Sequence, residues 1–190
     1  AEEMGEALGR TAYSPNIKER RDYSCAVFDA DGAMVAQAAH IPVHLGAMPE
    51  AVAAVREHGA RPGDVWVLND PYTGGTHLPD ITVIEAVAAT SLLPSRVTSG
   101  AMAMRGGGEQ PIAYAVVRAH HADVGGSRPG SMPPGARTLA EEGVVIPPTR
   151  IAVGGALDEE LLAALIAPMR EPEVRRADFA AQLAAAARGG

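Results

Sequence analysis

Short apolar runs alternate with turn sequences through most of the chain, a pattern typical of a domain that mixes strands and helices. Apolar residues recur at i, i+3, i+4 and i+7 in residues 2–13 and 48–57, which predicts two amphipathic helices. Five other apolar runs have the length of strands: residues 25–28, 33–38, 65–68, 81–89 and 112–118. We therefore expect an α+β fold, a mostly antiparallel β-sheet with flanking helices and long loops.

The segments between these runs predict how the strands are connected. Asp29-Ala30-Asp31-Gly32 lies between the first two runs, and an Asp-Gly pair favours the tight turn of a β-hairpin. Residues 40–44 contain a proline and are predicted to be extended. Residues 90–111 are rich in Ser, Thr, Gly and Pro, and we interpret them as an unusually long loop between two strands.

The last quarter of the chain has a helical pattern. Asp158 is placed to cap a first helix, and residues 173–187 are predicted to form a second one. The predicted apolar stripe of the second helix consists of Val174, Ala177, Ala181 and Ala184. The sequence thus predicts an α+β domain over residues 1–150, followed by a helical pair in residues 151–190.

Charge and composition narrow the function classes. The net charge of -7 argues against nucleic acid as a partner, because phosphate contacts need clustered Lys and Arg. No apolar run approaches the roughly 18 residues of a transmembrane helix, so no membrane association is expected. Cys25 is the only cysteine, which excludes an internal disulfide and fits a reducing compartment. These features and the acidic first residues predict a cytoplasmic protein.

Metal-ligand residue types recur at the predicted strand ends and in one loop. They are Asp22, the pair His77 and Asp80, and the group His120, His121 and Asp123. One such group is common by chance, but groups on neighbouring strands can converge on one point. Two imidazoles and two carboxylates would offset the charge of a divalent cation and leave a coordination position open for water.

The adjacent histidines are expected to have different roles. Neighbouring residues of a strand point to opposite faces, so at most one of His120 and His121 is a ligand. The other is an acid–base group, a hydrogen-bonding group or a structural residue. Nucleophilic catalysis and nucleotide binding have no supporting motif, because the sequence has no Gly-x-Ser-x-Gly nucleophile elbow and no P-loop.

Several stretches resemble one known family. They are residues 14–26 (SPNIKERRDYSCA), 39–49 (AHIPVHLGAMP), 68–80 (LNDPYTGGTHLPD), 118–126 (RAHHADVGG), 129–133 and 141–148. On these motifs the chain is similar to the hydantoinase B/oxoprolinase family, which includes hydantoinase, 5-oxoprolinase and acetone carboxylase components. Family members are considerably longer, so the resemblance covers an N-terminal portion.

The resemblance implies a metal-binding subunit of an ATP-dependent enzyme that opens cyclic amides such as hydantoin, 5-oxoproline or a lactam. It implies that Asp22, His77, Asp80 and His120 hold the metal, and His and Asp are usual ligands of zinc, manganese or iron. His121, Asp123 and Glu142 would be catalytic groups, with His40 and His44 nearby. If residues 90–111 shift the register of the following strand by one residue, the ligand becomes His121.

The resemblance also implies partners. A hydantoinase A-type subunit would bind ATP and form a hetero-oligomer with this chain. Two alternatives stay open: an acetone-carboxylase-type subunit, and a non-catalytic assembly module whose metal is structural. A catalytic metal site would be open to solvent, whereas a structural one would be closed by protein ligands.

Overall fold

The structure is a computed structural model, and residues 1–39, 41–89 and 110–190 are described. Seven strands in this part of the chain form one sheet. They are β1 (Tyr23–Asp29), β2 (Met34–Ala39), β3 (Val65–Leu68), β4 (Asp80–Val87), β5 (Ala113–His120), β6 (Thr149–Val153) and β7 (Ala156–Leu157). Their order across the sheet is β2-β1-β5-β4-β3-β6-β7, and all neighbours are antiparallel. The predicted α+β class with an antiparallel sheet is confirmed.

Helices cover both faces of the sheet. They are α1 (Glu2–Thr11), α2 (Pro15–Lys18), α3 (Pro42–Glu57), α4 (Leu139–Glu142), α5 (Glu159–Ile166) and α6 (Pro172–Ala186). On one face, Met48, Val52 and Val55 of α3 pack against a hydrophobic cluster that includes Val116 of β5. On the other face, α1, α5 and α6 pack against a second cluster that includes Val117. Consecutive residues of β5 therefore belong to different layers, as strand geometry requires.

The central strands are buried on both faces, which explains their nearly continuous apolar sequences. Cys25 of β1 lies in the layer under α1 and α6, and its side chain is fully buried. Burial raises the pKa of this thiol to about 12, so it stays protonated at neutral pH. No helix among the described residues is long and apolar enough to cross a membrane.

Several predicted elements are confirmed. Strands β1 and β2 form the expected hairpin, and the Asp158 side chain caps α5 by accepting a hydrogen bond from the Leu161 N–H at 2.9 Å. The short strands β6 and β7 were not predicted, because they offer too few consecutive apolar residues to show an alternation. His40 and residues 90–109, most of the predicted long loop, lie outside the described residues.

Two predictions were wrong. Residues 42–44 are not extended, because α3 begins at Pro42, where the fixed φ of proline suits the first helical turn. The predicted stripe of α6 is also misplaced: Ala184 is exposed. The buried residues of α6 are Arg175, Asp178, Phe179, Ala181, Gln182, Ala185 and Ala186. Polar side chains occupy this buried face because they have hydrogen-bond partners inside the protein, which hydrophobic periodicity alone does not reveal.

Candidate metal site

Three of the predicted ligands form a row across neighbouring strands. Asp80 of β4 pairs directly with His120 of β5. Asp22 precedes β1, and its carbonyl oxygen accepts a hydrogen bond from the His120 N–H at 2.9 Å. Since directly paired residues share a face, the row lies on the α3 side of the sheet, at its end. The strand order β1-β5-β4 therefore places Asp80 and His120 side by side and Asp22 at the same end of the sheet. The Asp22 carboxylate lies 3.5 Å from His44 Nε2 and is not one of the three residues whose ligand atoms all lie within 4.8 Å of one another.

The loop before β4 brings the fourth predicted ligand to this row. His77 Nδ1 lies 3.2 Å from Asp80 Oδ2, and ligand atoms of His77, Asp80 and His120 all lie within 4.8 Å of one another. The loop is fixed by the buried Asn69 side chain, which donates to Leu78 O and Val144 O and accepts from Ile146 N–H. His77 is thus presented by an ordered loop.

Asp80 is the central acceptor of the site. Its Oδ1 lies 2.6 Å from His120 Nδ1, and its Oδ2 accepts from the Thr76 hydroxyl and from the His77 N–H at 3.1 Å. Burial would raise the pKa of Asp80, but the hydrogen bonds from His120, His44 and Thr76 outweigh it and hold the pKa well below the usual range. Asp80 is therefore a carboxylate at neutral pH.

His44 of α3 joins the two carboxylates of the row. Its Nε2 lies 3.5 Å from Asp22 Oδ1 and 3.6 Å from Asp80 Oδ1, and the imidazole is almost fully buried. Its Nδ1 has no hydrogen-bond partner among the described residues. His44 therefore lies close to the predicted ligands, although it is not one of the three residues whose ligand atoms all lie within 4.8 Å of one another.

A buried arginine lies behind the row on the same face. Arg118 of β5 donates to Thr82 Oγ1 at 2.7 Å, to His44 O at 3.3 Å and to Gly74 O at 2.6 Å. Burial lowers its pKa to about 10, so the guanidinium is still charged at neutral pH. Its contacts fasten the strand that carries His120 to both α3 and the loop that carries His77.

A cavity of about 200 Å³ opens beside His77, whose side chain is 57% exposed. It is lined by Glu142 at the end of α4 and by Leu78, Ser131, Met132 and Pro133. The predicted catalytic residue Glu142 therefore shares a cavity with a predicted ligand. A carboxylate in this position can take up or release a proton next to the ligand cluster.

The other two predicted catalytic residues are not in this cavity. His121 points to the α6 face, is fully buried, and its Nε2 lies 2.8 Å from Gln182 Oε1. Burial lowers the pKa of His121 to about 4, so its imidazole is neutral. The Asp123 carboxylate accepts from Gly125 N–H and Gly130 N–H and pairs with Arg170 at 3.1 Å. Both side chains are therefore engaged by other groups of the protein, outside the cavity.

The donor set suits a divalent cation. Imidazole nitrogens and carboxylate oxygens are ligands of zinc, manganese and ferrous iron, and two carboxylates would offset the charge of one ion. His120 Nδ1 and Asp80 Oδ1 lie 2.6 Å apart, so a nitrogen and an oxygen of this donor set are side by side. The residues present therefore fit the implied metal.

Sequence reasoning missed Arg118, Thr76 and Gln182. Arg118 and Thr76 lie within predicted motifs, yet only the fold shows which acceptors they reach. Arg175, Asp178 and Gln182 recur at i, i+3 and i+7 and form a polar stripe on one side of α6, a pattern that by itself predicts a solvent-exposed face.

The sequence matches the hydantoinase B/oxoprolinase family over residues 1–190. A curated relative, the 5-oxoprolinase of Saccharomyces cerevisiae, is 44% identical over 163 residues, which are 84% of this chain and 11% of the relative. The chain therefore spans only a small part of this longer protein.

Solved structures share the fold. The ATP-dependent caprolactamase of Pseudomonas jessenii superposes with a TM-score of 0.81 at 28% identity, covering 99% of this chain and 30% of that one. An acetone carboxylase superposes with a TM-score of 0.76 at 18% identity, covering 98% and 23%. At that identity the second likeness shows the fold alone. The family match over the full length confirms the resemblance seen in the sequence motifs, and the chain belongs to the hydantoinase B/oxoprolinase family.

Proposed function

We propose that this chain is the metal-binding part of an ATP-dependent enzyme that hydrolyses a cyclic amide. The observation that carries the proposal is the row of Asp22, His120 and Asp80 across three neighbouring strands, with His77 beside it at the mouth of a cavity. Relatives named as a 5-oxoprolinase and a caprolactamase support a lactam-type substrate.

In this proposal Asp22, His77, Asp80 and His120 hold a divalent ion, which is zinc, manganese or iron. When bound, such an ion supplies Lewis-acid polarisation of a carbonyl oxygen and a positive charge that activates water. The protein residues orient the ligands: Thr76 and the His77 N–H fix one oxygen of Asp80. His44 holds the Asp22 and Asp80 carboxylates on the same side of the site.

Proton transfer is assigned to Glu142. Glu142 and His77 line the same cavity, so a substrate bound there would lie next to both residues. His121 and Asp123 were predicted as catalytic groups. Their burial and their contacts with Gln182 and Arg170 support a role in holding the site together rather than contact with substrate.

The ATP-dependent step is assigned to a partner. The sequence has no P-loop, whereas the similar caprolactamase is ATP-dependent. We therefore propose a hydantoinase A-type subunit or domain that binds ATP and forms a hetero-oligomer with this chain. The cytoplasmic location expected from the sequence belongs to the same proposal.

The two alternatives have weaker support. An acetone-carboxylase-type activity rests on a likeness that shows the fold alone. A closed structural metal site is disfavoured by the exposed His77 side chain and by the adjacent cavity. The hydrolase is thus the function that the geometry supports best.

Elemental analysis of the purified chain tests the metal site. We expect about one equivalent of a divalent metal per chain, lost in Asp80→Asn and retained in Asp158→Asn, which makes the same chemical change at a helix cap. Metal-free folded protein, or equal metal content in both variants, would reject the site. ATP-dependent release of the amino acid from caprolactam or 5-oxoproline, assayed with the partner subunit, then tests the reaction.

A further inference from the structure

The buried face of α6 carries three polar side chains that meet different parts of the sheet. Asp178 Oδ1 accepts from Tyr13 N–H at 2.8 Å and Ser14 N–H at 3.0 Å, in the segment that leads to Asp22. Arg175 Nη1 donates to Asp123 O at 3.4 Å. Gln182 contacts the strand ends that hold Asp80 and His120. These side chains are almost fully buried, so α6 is more than an apolar cover.

Gln182 makes three hydrogen bonds at the back of the candidate metal site. Its Nε2 donates to Ile81 O at 2.9 Å and to Val117 O at 3.3 Å. Since both acceptors are carbonyls, the side-chain nitrogen must face them and the side-chain oxygen must face His121. His121 Nε2 therefore carries the proton and donates it to Gln182 Oε1 at 2.8 Å.

These contacts adjoin the predicted ligands in the chain. Ile81 follows Asp80 on β4, and His121 follows His120 at the end of β5. One side chain thus ties the two ligand-bearing strand ends together from the α6 face of the sheet. These contacts act on the backbone from which Asp80 and His120 project to the opposite face of the sheet.

We propose that Gln182 is a positioning residue that sets the Asp80–His120 geometry through Ile81 and His121. The inference rests on the proposed function for its consequence in catalysis, but the geometric effect exists in the metal-free protein as well. Outer partners of metal-site residues typically contribute about 10- to 100-fold to metal affinity. Gln182 would act in the same way from the other side of the sheet.

The test is Gln182→Met, which has similar length but makes none of the three hydrogen bonds. The ¹⁵N chemical shifts of the His120 ring, measured without metal, report the Asp80–His120 contact directly. Co²⁺ affinity and the visible Co²⁺ spectrum report the ligand geometry. Leu162→Ala is the control, because it removes apolar contacts from the same core without touching the hydrogen bonds of Gln182. Gln182→Glu is a second variant: it keeps an oxygen toward His121 but lacks the N–H groups that donate to Ile81 O and Val117 O. It takes the place of Gln182→Met if the methionine variant does not fold.

We expect shifted His120 ring signals and a loss of Co²⁺ affinity of about 10-fold in the Gln182 variant, with the control within about twofold of wild type. Equal signals and equal affinity in the Gln182 variant and the control would overturn the inference. If the wild-type chain binds no Co²⁺, the metal site of the proposed function is rejected, and the His120 ring shifts alone decide the role of Gln182.

Discussion

His120 and His121 are adjacent in the chain, yet they lie in two very different parts of the molecule. His120 faces the α3 side, where it contacts the Asp80 carboxylate and lies near the exposed side chain of His77. His121 faces α6, is fully buried, and contacts an amide instead of a carboxylate. The face of the strand therefore decides whether an imidazole is available as a ligand or serves as a neutral hydrogen-bond donor.

The two faces also differ in how charge is balanced. On the α3 side, the carboxylates of Asp22 and Asp80 lie near His44, and Arg118 lies behind them. Beside them, the ligand atoms of His77, Asp80 and His120 all lie within 4.8 Å of one another. On the α6 side, Asp178 is committed to backbone N–H groups and to Arg175, whose Nη2 is 3.7 Å away. The first arrangement suits an incoming cation, whereas the second fixes chain segments.

Arg118→Met should have the largest effect, because it removes the group that joins β5 to α3 and to the loop carrying His77. Without Arg118, three buried acceptors lose their donor: the Thr82 hydroxyl and the carbonyl oxygens of His44 and Gly74. We expect the free energy of unfolding to fall by about 3–5 kcal/mol. Urea unfolding monitored by Trp66 fluorescence measures it. Arg10→Met, at an exposed ion pair with Glu6, should change it by less than about 0.5 kcal/mol. Similar losses for both arginines would contradict the bracing role of Arg118.

The histidine pair allows the contrast between the faces to be tested directly. His120→Ala should abolish measurable Co²⁺ binding, since it removes a ligand, with a modest loss of stability at the sheet end. His121→Ala should lower the free energy of unfolding by about 2–4 kcal/mol, because it leaves a cavity beside Phe179 and removes the bond to Gln182. Isothermal titration with Co²⁺ and urea unfolding separate the two effects. If His121→Ala were the variant that abolished binding, the assignment of the ligand to His120 would be wrong.

Much of this arrangement could be predicted from local patterns. The hairpin of β1 and β2 follows from an Asp-Gly turn between apolar runs, and the cap of α5 follows from Asp158. The pairing of Asp80 with His120 required only that their strands be neighbours, and the opposite directions of His120 and His121 required only the pleat.

What the sequence could not show depends on long-range packing. The start of α3 at Pro42 was missed because proline suits both an extended segment and a first helical turn. The buried face of α6 was misplaced because its alanines fit more than one stripe. Arg175, Asp178 and Gln182 are buried only because they find acceptors and donors on segments more than fifty residues away. Such pairings have no signature in hydrophobic periodicity.

Two glycines give the smallest expected effects and have opposite signs. A Cβ on Gly75 would lie 2.2 Å from Asn69 O, so the loop that presents His77 would have to shift. Gly75→Ala should lower the free energy of unfolding by about 1–3 kcal/mol and weaken Co²⁺ binding. Gly46 is exposed within α3, and a Cβ there meets nothing within 4 Å.

Gly46→Ala should therefore raise the free energy of unfolding by about 0.5–1 kcal/mol, because alanine loses less backbone entropy than glycine in a helix. Its Co²⁺ affinity should stay unchanged, although α3 also carries His44. Urea unfolding and Co²⁺ titration of both variants provide the comparison. A stabilising Gly75→Ala would mean that the loop does not approach Asn69 as closely as the structure shows, and the fixed position of His77 would lose its physical basis.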